Sequence, residues 1–455
     1  MKNPLAYADQ HFDTFVDDLK TFLRIPSVST DPAHKQDVGD AARWLAAHLS
    51  AIDLDGVQVM DTPGHPVVYA EKIVDPAART VLVYGHYDVQ PPDPLELWET
   101  EPFDPVVRNG DLYARGSADD KGQLYMHVKA VEAWLATDGL PMNVKMIFEG
   151  EEEIGSEHLP AFLEAHKDLL AADVVMVSDT ALFGTGVPSI TYGLRGLAYV
   201  QVTLEGPDRD LHSGVYGGAI HNPINALAAL IADLHDDDHR VTIDGFYDNV
   251  IPLTDEERAS FAELPFDEAE WLDEVGAPAA RTEKGYTAWE ATTARPCLDV
   301  NGIWGGFTGE GAKTVLPSKA HAKISCRLVP GQTPDEITDK LRRHFEKHTP
   351  PTMKLTFRNL HGGPGALVDT SGPAMQAAAE AMEGVYGERP FFIRGGGSIP
   401  IVAEFKRILG LGTVLMGFGL DSDAIHSPNE KFGLDRLRKG IETAIRFLAI
   451  YPTTK

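Results

Sequence analysis

Two spacings of apolar residues run through this chain, and the switches between them mark its elements. Phe12, Phe15, Val16, Leu19, Phe22 and Leu23 recur at helical spacing until Pro26 ends the run. Val38, Ala41, Ala42, Leu45, Leu49 and Ile52 form a second helical stripe. Short apolar runs follow at 57–60, 67–73 and 80–84. They are too brief for helices and read as strands, the last buried on both faces. The stretch 98–115 is loop-like, with Pro102, Pro105 and an Asn109-Gly110 turn. From Lys121, the residues Leu124, Val128, Val131, Trp134 and Leu135 mark a helix that Gly139 closes. A strand at 144–148, a helix near 157–170 and a strand at 174–177 complete the alternation. Strand and helix in turn predict an α/β fold, a mostly parallel sheet flanked by helices.

The texture changes after Gly196. A strand at 199–204 precedes a helix at 222–234, whose Ile224, Leu227, Ile231 and Leu234 share one side. Residues 236–295 are acidic and irregular, with short helical pieces such as 255–264. Ala320, Ala322, Ile324, Cys326 and Leu328 then alternate with His321, Lys323, Ser325 and Arg327. That is a half-buried strand with Arg327 on its polar face. A helix at 334–344 and a strand at 353–357 complete a small α+β unit, and helices at 375–386 and 434–450 return to the first pattern. The plan expected is one domain, 1–195 plus 375–455, split by an inserted domain, 196–374.

At 455 residues the chain is too long for a single core. Its 40 basic against 68 acidic residues leave a formal charge of -28, which argues against nucleic acid or an anionic membrane as partner. Two cysteines, Cys297 and Cys326, with no CxxC between them, suit a reducing compartment. The first eighteen residues lack a signal-peptide pattern and no apolar run approaches bilayer length, so a cytoplasmic protein is expected.

Ligand-type residues follow several predicted strands. His86 lies just past the run at 80–84, with Asp88 beyond it; Glu151, Glu152 and Glu153 follow 144–148, and Asp179 follows 174–177. His426 lies past the apolar run 413–418, and Asp119 precedes the helix that starts at Lys121. Each has a plain alternative when taken alone: a loop histidine, a solvated helix start, an N-cap or a turn residue. Their joint placement at strand ends is the stronger signal, because open α/β sheets do their chemistry there. Imidazole and carboxylate without thiolate suit zinc, manganese or cobalt, and not an iron–sulfur cluster.

Four blocks carry a resemblance: Gly85-His86-Tyr87-Asp88-Val89-Gln90-Pro91, Arg115-Gly116-Ser117-Ala118-Asp119-Asp120-Lys121-Gly122, Glu149-Gly150-Glu151-Glu152-Glu153-Ile154-Gly155-Ser156 and Asp210-Leu211-His212-Ser213-Gly214. They resemble the co-catalytic metallopeptidases that include aminoacylase, carboxypeptidase and the dipeptidases. Tyr192-Gly193-Leu194-Arg195-Gly196 and Ser325-Cys326-Arg327-Leu328-Val329-Pro330-Gly331 bring the chain nearest to the carnosinase-like cytosolic nonspecific dipeptidases. The similarity runs in order from Phe22 to Phe447.

The resemblance implies a phosphorylase/hydrolase-like catalytic domain with an inserted ferredoxin-like lid and dimerisation domain. It implies two divalent ions, zinc or manganese: His86 and Asp179 on one, Glu153 and His426 on the other, Asp119 bridging. Asp119-Asp120 is then a candidate cis peptide, and Asp88 accepts from the imidazole of His86. The family spacing to Gly155-Ser156 selects Glu152 as general base and Glu153 as ligand, with Glu151 spare. A metal-bridging water activated by Glu152 would cleave the amide of a dipeptide or very short peptide. His212 is expected to reach the active site of the neighbouring subunit of a homodimer and to steady the oxyanion. Arg327, Gly397 and Ser398 would hold a free substrate carboxylate, the glycine-rich 394–400 stretch lacking the Lys of a phosphate loop. Thr314 matches a substrate-contacting position. The nearest rival is N-acyl amino acid deacylation or carboxypeptidase action by the same machinery. A non-catalytic metal- or peptide-binding relative is a more distant one, since such a module has no use for Glu152.

Overall fold

The run at 80–86 is a strand because its continuous apolar residues fill a sheet covered on both faces: Val81, Leu82, Val83 and Tyr84 are all buried. In the computed structural model, which describes residues 3–455, the principal strands in chain order are β1 (Asp55–Met60), β2 (Val67–Lys72), β3 (Thr80–His86), β4 (Asn143–Glu149), β5 (Val174–Val177), β6 (Ser189–Leu194), β7 (Gly196–Glu205), β8 (Cys297–Gly305), β9 (Lys319–Leu328), β10 (Lys354–Gly363) and β11 (Gly412–Leu415). The chain divides into two units. The first comprises Met1–Tyr192, Val368–Ile393 and Ile401–Lys455, and the second Gly193–Leu367 and Arg394–Pro400. Arg394–Pro400 thus goes with the inserted unit and not with the rest of 375–455.

In the first unit the sheet order is β1-β2-β4-β3-β5-β11-β6. Its centre is parallel: β3 pairs β4 and β5, and β5 pairs β11. Its margins are antiparallel, β2 against β1 and β4, and β6 against β11. The carboxyl ends of β3, β4, β5 and β11 therefore open on one edge. Helices Phe12–Leu23, Lys35–Ala51, Lys121–Leu135, Pro373–Tyr386 and Leu434–Ile450 bury their apolar stripes in the same core. The helix expected near 157–170 is shorter, Leu159–Ala165, and after the glycine-rich stretch a short α turn, Pro400–Glu404, is continued by a π turn, Phe405–Leu409.

The second unit runs β7, helix Pro223–Ala232, β8, β9, helix Pro334–His348, β10. The sheet order is β8-β9-β7-β10, all antiparallel. That is the split βαββαβ pattern of ferredoxin-like folds. Leu227 and Leu230 of one helix and Ile337, Leu341 and Phe345 of the other cover Val200, Val202, Ala322 and Ile324 of the sheet. Among the described residues no helix is long and apolar enough to cross a membrane.

Candidate metal centre

Four strand ends and one helix start deliver the ligand-type side chains. His86 is the last residue of β3, where Gly85 keeps the strand close to the next helix: a Cβ on Gly85 would come within 2.7 Å of Asp120 Oδ2 and Leu124 Cβ. Beyond β4 the chain makes a short 3-10 turn, Glu152–Ile154, and leaves it through Gly155 at φ 93°. Asp179 follows β5 by two residues. Past β11, Asp423 caps Leu420 N–H and pairs with buried Arg436, and His426 follows with a positive φ of 60°. Asp119 lies just ahead of helix Lys121–Leu135, and the Asp119–Asp120 bond is cis.

These side chains form two trios that share one member. His86, Asp119 and Asp179 make one; Asp119, Glu153 and His426 make the other. Within each trio the ligand atoms lie within 4.8 Å of one another. Asp119 Oδ1 is 3.0 Å from His86 Nε2, and its Oδ2 is 2.9 Å from His426 Nε2. His426 Nε2 is also 3.1 Å from a Glu153 oxygen, and His86 Nε2 is 3.9 Å from Asp179. One carboxylate thus offers one oxygen to each side.

The electrostatics fit a pair of cations. Burial pushes the carboxyls of Glu152 and Asp179 well above their usual range, and neighbouring Asp119 adds to it. Glu153 is raised for the same two reasons. Burial also works against Asp119, but hydrogen bonds from His426 and His86 hold its carboxyl far below the usual range. Hydrogen bonds to Asp119 and Glu153 lift His426 to about 10. Four carboxylates in one buried space cannot all ionise unless positive charge joins them. All donors are nitrogen or oxygen, as zinc and manganese favour.

Asp88 faces the imidazole with two groups: His86 Nδ1 lies 3.1 Å from its main-chain oxygen and 3.4 Å from its carboxylate. The Asp88 carboxylate also accepts the peptide N–H groups of Glu152 (3.2 Å) and Glu153 (3.1 Å). Asp88 therefore ties the end of β3 to the turn beyond β4. Glu152 makes no side-chain hydrogen bond to a described residue, and Glu151 faces elsewhere, accepting from His65 N–H and His158.

The second unit holds two further groups. His212 is exposed; its Nδ1 accepts from Gly214 N–H at 3.0 Å, which leaves Nε2–H free to donate outward. Thr314 is its neighbour across a two-residue ladder, in which His212 pairs with Val315, and Thr314 O accepts from Ser213. In the other group, Arg327 donates to Ser398 Oγ at 3.0 Å. Arg195 carries a role that sequence reasoning missed. Its Nε donates to Gly396 O and its peptide N–H to Gly397 O, both at 3.0 Å, so it fastens the glycine loop. Burial, helped by the neighbouring charge of Arg327, holds the Arg195 guanidinium below its usual value. Among the described residues neither guanidinium has a carboxylate partner. The only advance sign was the place of Arg195 in the Tyr192–Gly196 block.

A mixed α/β sheet with paired nitrogen–oxygen trios at its carboxyl edge, one carboxylate common to both, has the donor groups to hold two divalent ions, as a dinuclear hydrolase requires. The model of peptidase family M20/M25/M40 matches residues 82–449, and the chain belongs to that family. It is 36% identical over 95% of its length to the Cys-Gly metallodipeptidase dug1 of Schizosaccharomyces pombe, covering 94% of that protein. It is 34% identical to the human Beta-Ala-His dipeptidase, over 95% of this chain and 89% of that one. Among solved structures, the M20 family metallo-carboxypeptidase Sso-CP2 from Sulfolobus solfataricus superposes with a TM-score of 0.87 at 34% identity, over 96% of this chain and 99% of that one.

Proposed function

We propose that this chain hydrolyses the peptide bond of dipeptides or very short peptides with a free carboxylate, in a metal-dependent reaction. The observation that carries the reading is Asp119 presenting one oxygen to each trio, with the unpartnered carboxylate of Glu152 in the same buried space. Two divalent ions, zinc or manganese, would be held by His86, Asp119 and Asp179 and by Asp119, Glu153 and His426; when bound they would polarise the scissile carbonyl and acidify water. Glu152 takes the proton of the attacking water and returns it to the leaving amine. Asp88 steadies Glu152 through its peptide N–H. Arg327, with Ser398 and Gly397 on the loop that Arg195 holds, receives the substrate carboxylate, a task suited to a guanidinium without an acidic partner.

His212 and Thr314 belong to the same mechanism as contributions to a neighbouring subunit of a homodimer. His212 offers an outward Nε2–H to the developing oxyanion. Exposed Val215 (68%), Tyr216 (40%) and Ile220 (41%) follow it and supply apolar surface for such an interface. Two free cysteines suit a reducing compartment, in keeping with a cytoplasmic enzyme.

Carboxypeptidase action is a second reading, since a structural relative bears that name. N-acyl amino acid deacylation by the same residues is the other variant. Rates on Ala-Ala, N-acetyl-Ala-Ala and Ala-Ala-Ala-Ala, with manganese or zinc and with chelator, decide among them. Preference for Ala-Ala supports the dipeptidase; faster cleavage of the longer or blocked substrates supports its rivals; no metal-dependent hydrolysis of any overturns the proposal.

A further inference from the structure

Resting on the reading of Asp119 as the shared ligand, we propose that Glu430 is a positioning residue for both metal positions, its carboxylate fixing the loop that aims Asp119 while its own segment carries His426.

Glu430 is wholly buried. Its Oε1 accepts from the N–H groups of Ala118 at 2.9 Å and of Asp119 itself at 3.1 Å. Its Oε2 accepts from Gly116 N–H at 2.9 Å and from Arg115 Nη1 at 2.7 Å. The main-chain oxygen of Glu430 accepts in addition from Ala114 N–H at 3.1 Å. Loop 114–119 is therefore wrapped around one side chain, and the last N–H in the wrap belongs to the residue whose oxygens face the two trios. On its other flank, Asp120 Oδ2 accepts from His86 N–H at 3.1 Å. Asp119 is thus anchored on both sides.

The same segment steers the second trio. His426 sits four residues before Glu430, between two fixed points. Ahead of it, Asp423 is locked to Arg436. Behind it, Asn429 donates to Leu97 O at 2.8 Å and accepts from Glu99 N–H at 2.8 Å. A shift of Glu430 would move Asp119 and His426 together. An ion pair with Arg115 alone would need only the guanidinium, whereas here three peptide N–H groups converge on the carboxylate. An amide could not replace it, because its NH2 cannot accept from them.

The test compares metal-free wild type, Glu430→Gln and Arg115→Met, titrated calorimetrically with Mn2+ and followed by circular dichroism and Ala-Ala turnover. Glu430→Gln should keep the wild-type spectrum, bind Mn2+ at least tenfold more weakly at both positions, and recover turnover with unchanged KM as Mn2+ is raised. Arg115→Met, which leaves the three peptide contacts in place, should lose less than threefold in affinity. Wild-type Mn2+ affinity in Glu430→Gln overturns the proposal, as does an equal loss in Arg115→Met. If Glu430→Gln does not fold, Glu430→Asp replaces it with the same two outcomes, and failure of both to fold also overturns the positioning role. Wild type that binds no Mn2+ would instead count against the dinuclear reading itself.

Discussion

Glu151, Glu152 and Glu153 are chemically identical neighbours at one 3-10 turn, and the backbone gives each a different task. Glu151 turns back to His158 and the 62–66 loop, Glu153 meets His426, and Glu152 is left without a partner. Glu152→Ala should therefore keep both metal ions by elemental analysis and lose roughly 10^2- to 10^4-fold in kcat. The same loss in Glu151→Ala, with Glu152→Ala active, would show that the register is wrong. Arg327→Ala removes a charged hydrogen bond worth about 1.5–3 kcal/mol, so KM for Ala-Ala should rise roughly 10- to 100-fold. The KM for the C-terminal amide should change little; equal effects on both would deny the carboxylate contact. The run of three glutamates could not be resolved by pattern alone, because side-chain direction at a tight turn depends on each residue's own backbone angles, and only the spacing to Gly155-Ser156 suggested it. The carboxylate of Asp88 was equally hidden: its peptide partners lie across the sheet in another segment.

At the scale of elements, the parallel centre of the sheet was legible because buried parallel strands read as short continuous apolar runs. The antiparallel margins were not, since pairing direction depends on where distant strands return, as β6 does beside β11. The alternation of Ala320 to Leu328 was legible for the opposite reason: one face of β9 is packed under two helices and the other is not. Helix Lys121–Leu135 is buried on nearly every side and carries His127 into the core. Its Nε2 lies 2.7 Å from Ser178 Oγ, which itself donates to Met416 O, so the imidazole donates there. Burial lowers His127 from 6.5 to about 4. The unfolded chain therefore takes up this proton first as pH falls. The stability contributed by a neutral His127 is full above pH 6.5, declines towards pH 4 and is gone below it. Urea unfolding of wild type and His127→Gln should show the wild type losing more stability across that window, by something on the order of 3 kcal/mol. Parallel curves would mean that the imidazole is not held neutral.

For the whole molecule, the two-part organisation followed from the change in texture after Gly196, but the return of Arg394–Pro400 to the inserted unit did not. That segment is short and glycine-rich, and its attachment comes from Arg195 and Arg327, far away in sequence. Subunit assembly leaves still less trace in a single chain. If His212 serves the neighbouring subunit, His212→Ala should keep its metal and lose roughly 10^2- to 10^3-fold in kcat, the cost of an oxyanion donor. Mixing His212→Ala with Glu152→Ala should then restore part of the activity, because one hybrid site regains both residues. Absence of rescue after verified subunit exchange would place His212 within its own subunit or outside the reaction. The central claim, a pair of cations sharing Asp119 and needed for hydrolysis, is tested most directly by titrating the metal-free protein with Mn2+ while following bound metal and Ala-Ala turnover together. Two ions per chain, with turnover rising as the second binds and vanishing in chelator, is the predicted result; a single ion per chain, or turnover indifferent to metal, would contradict it.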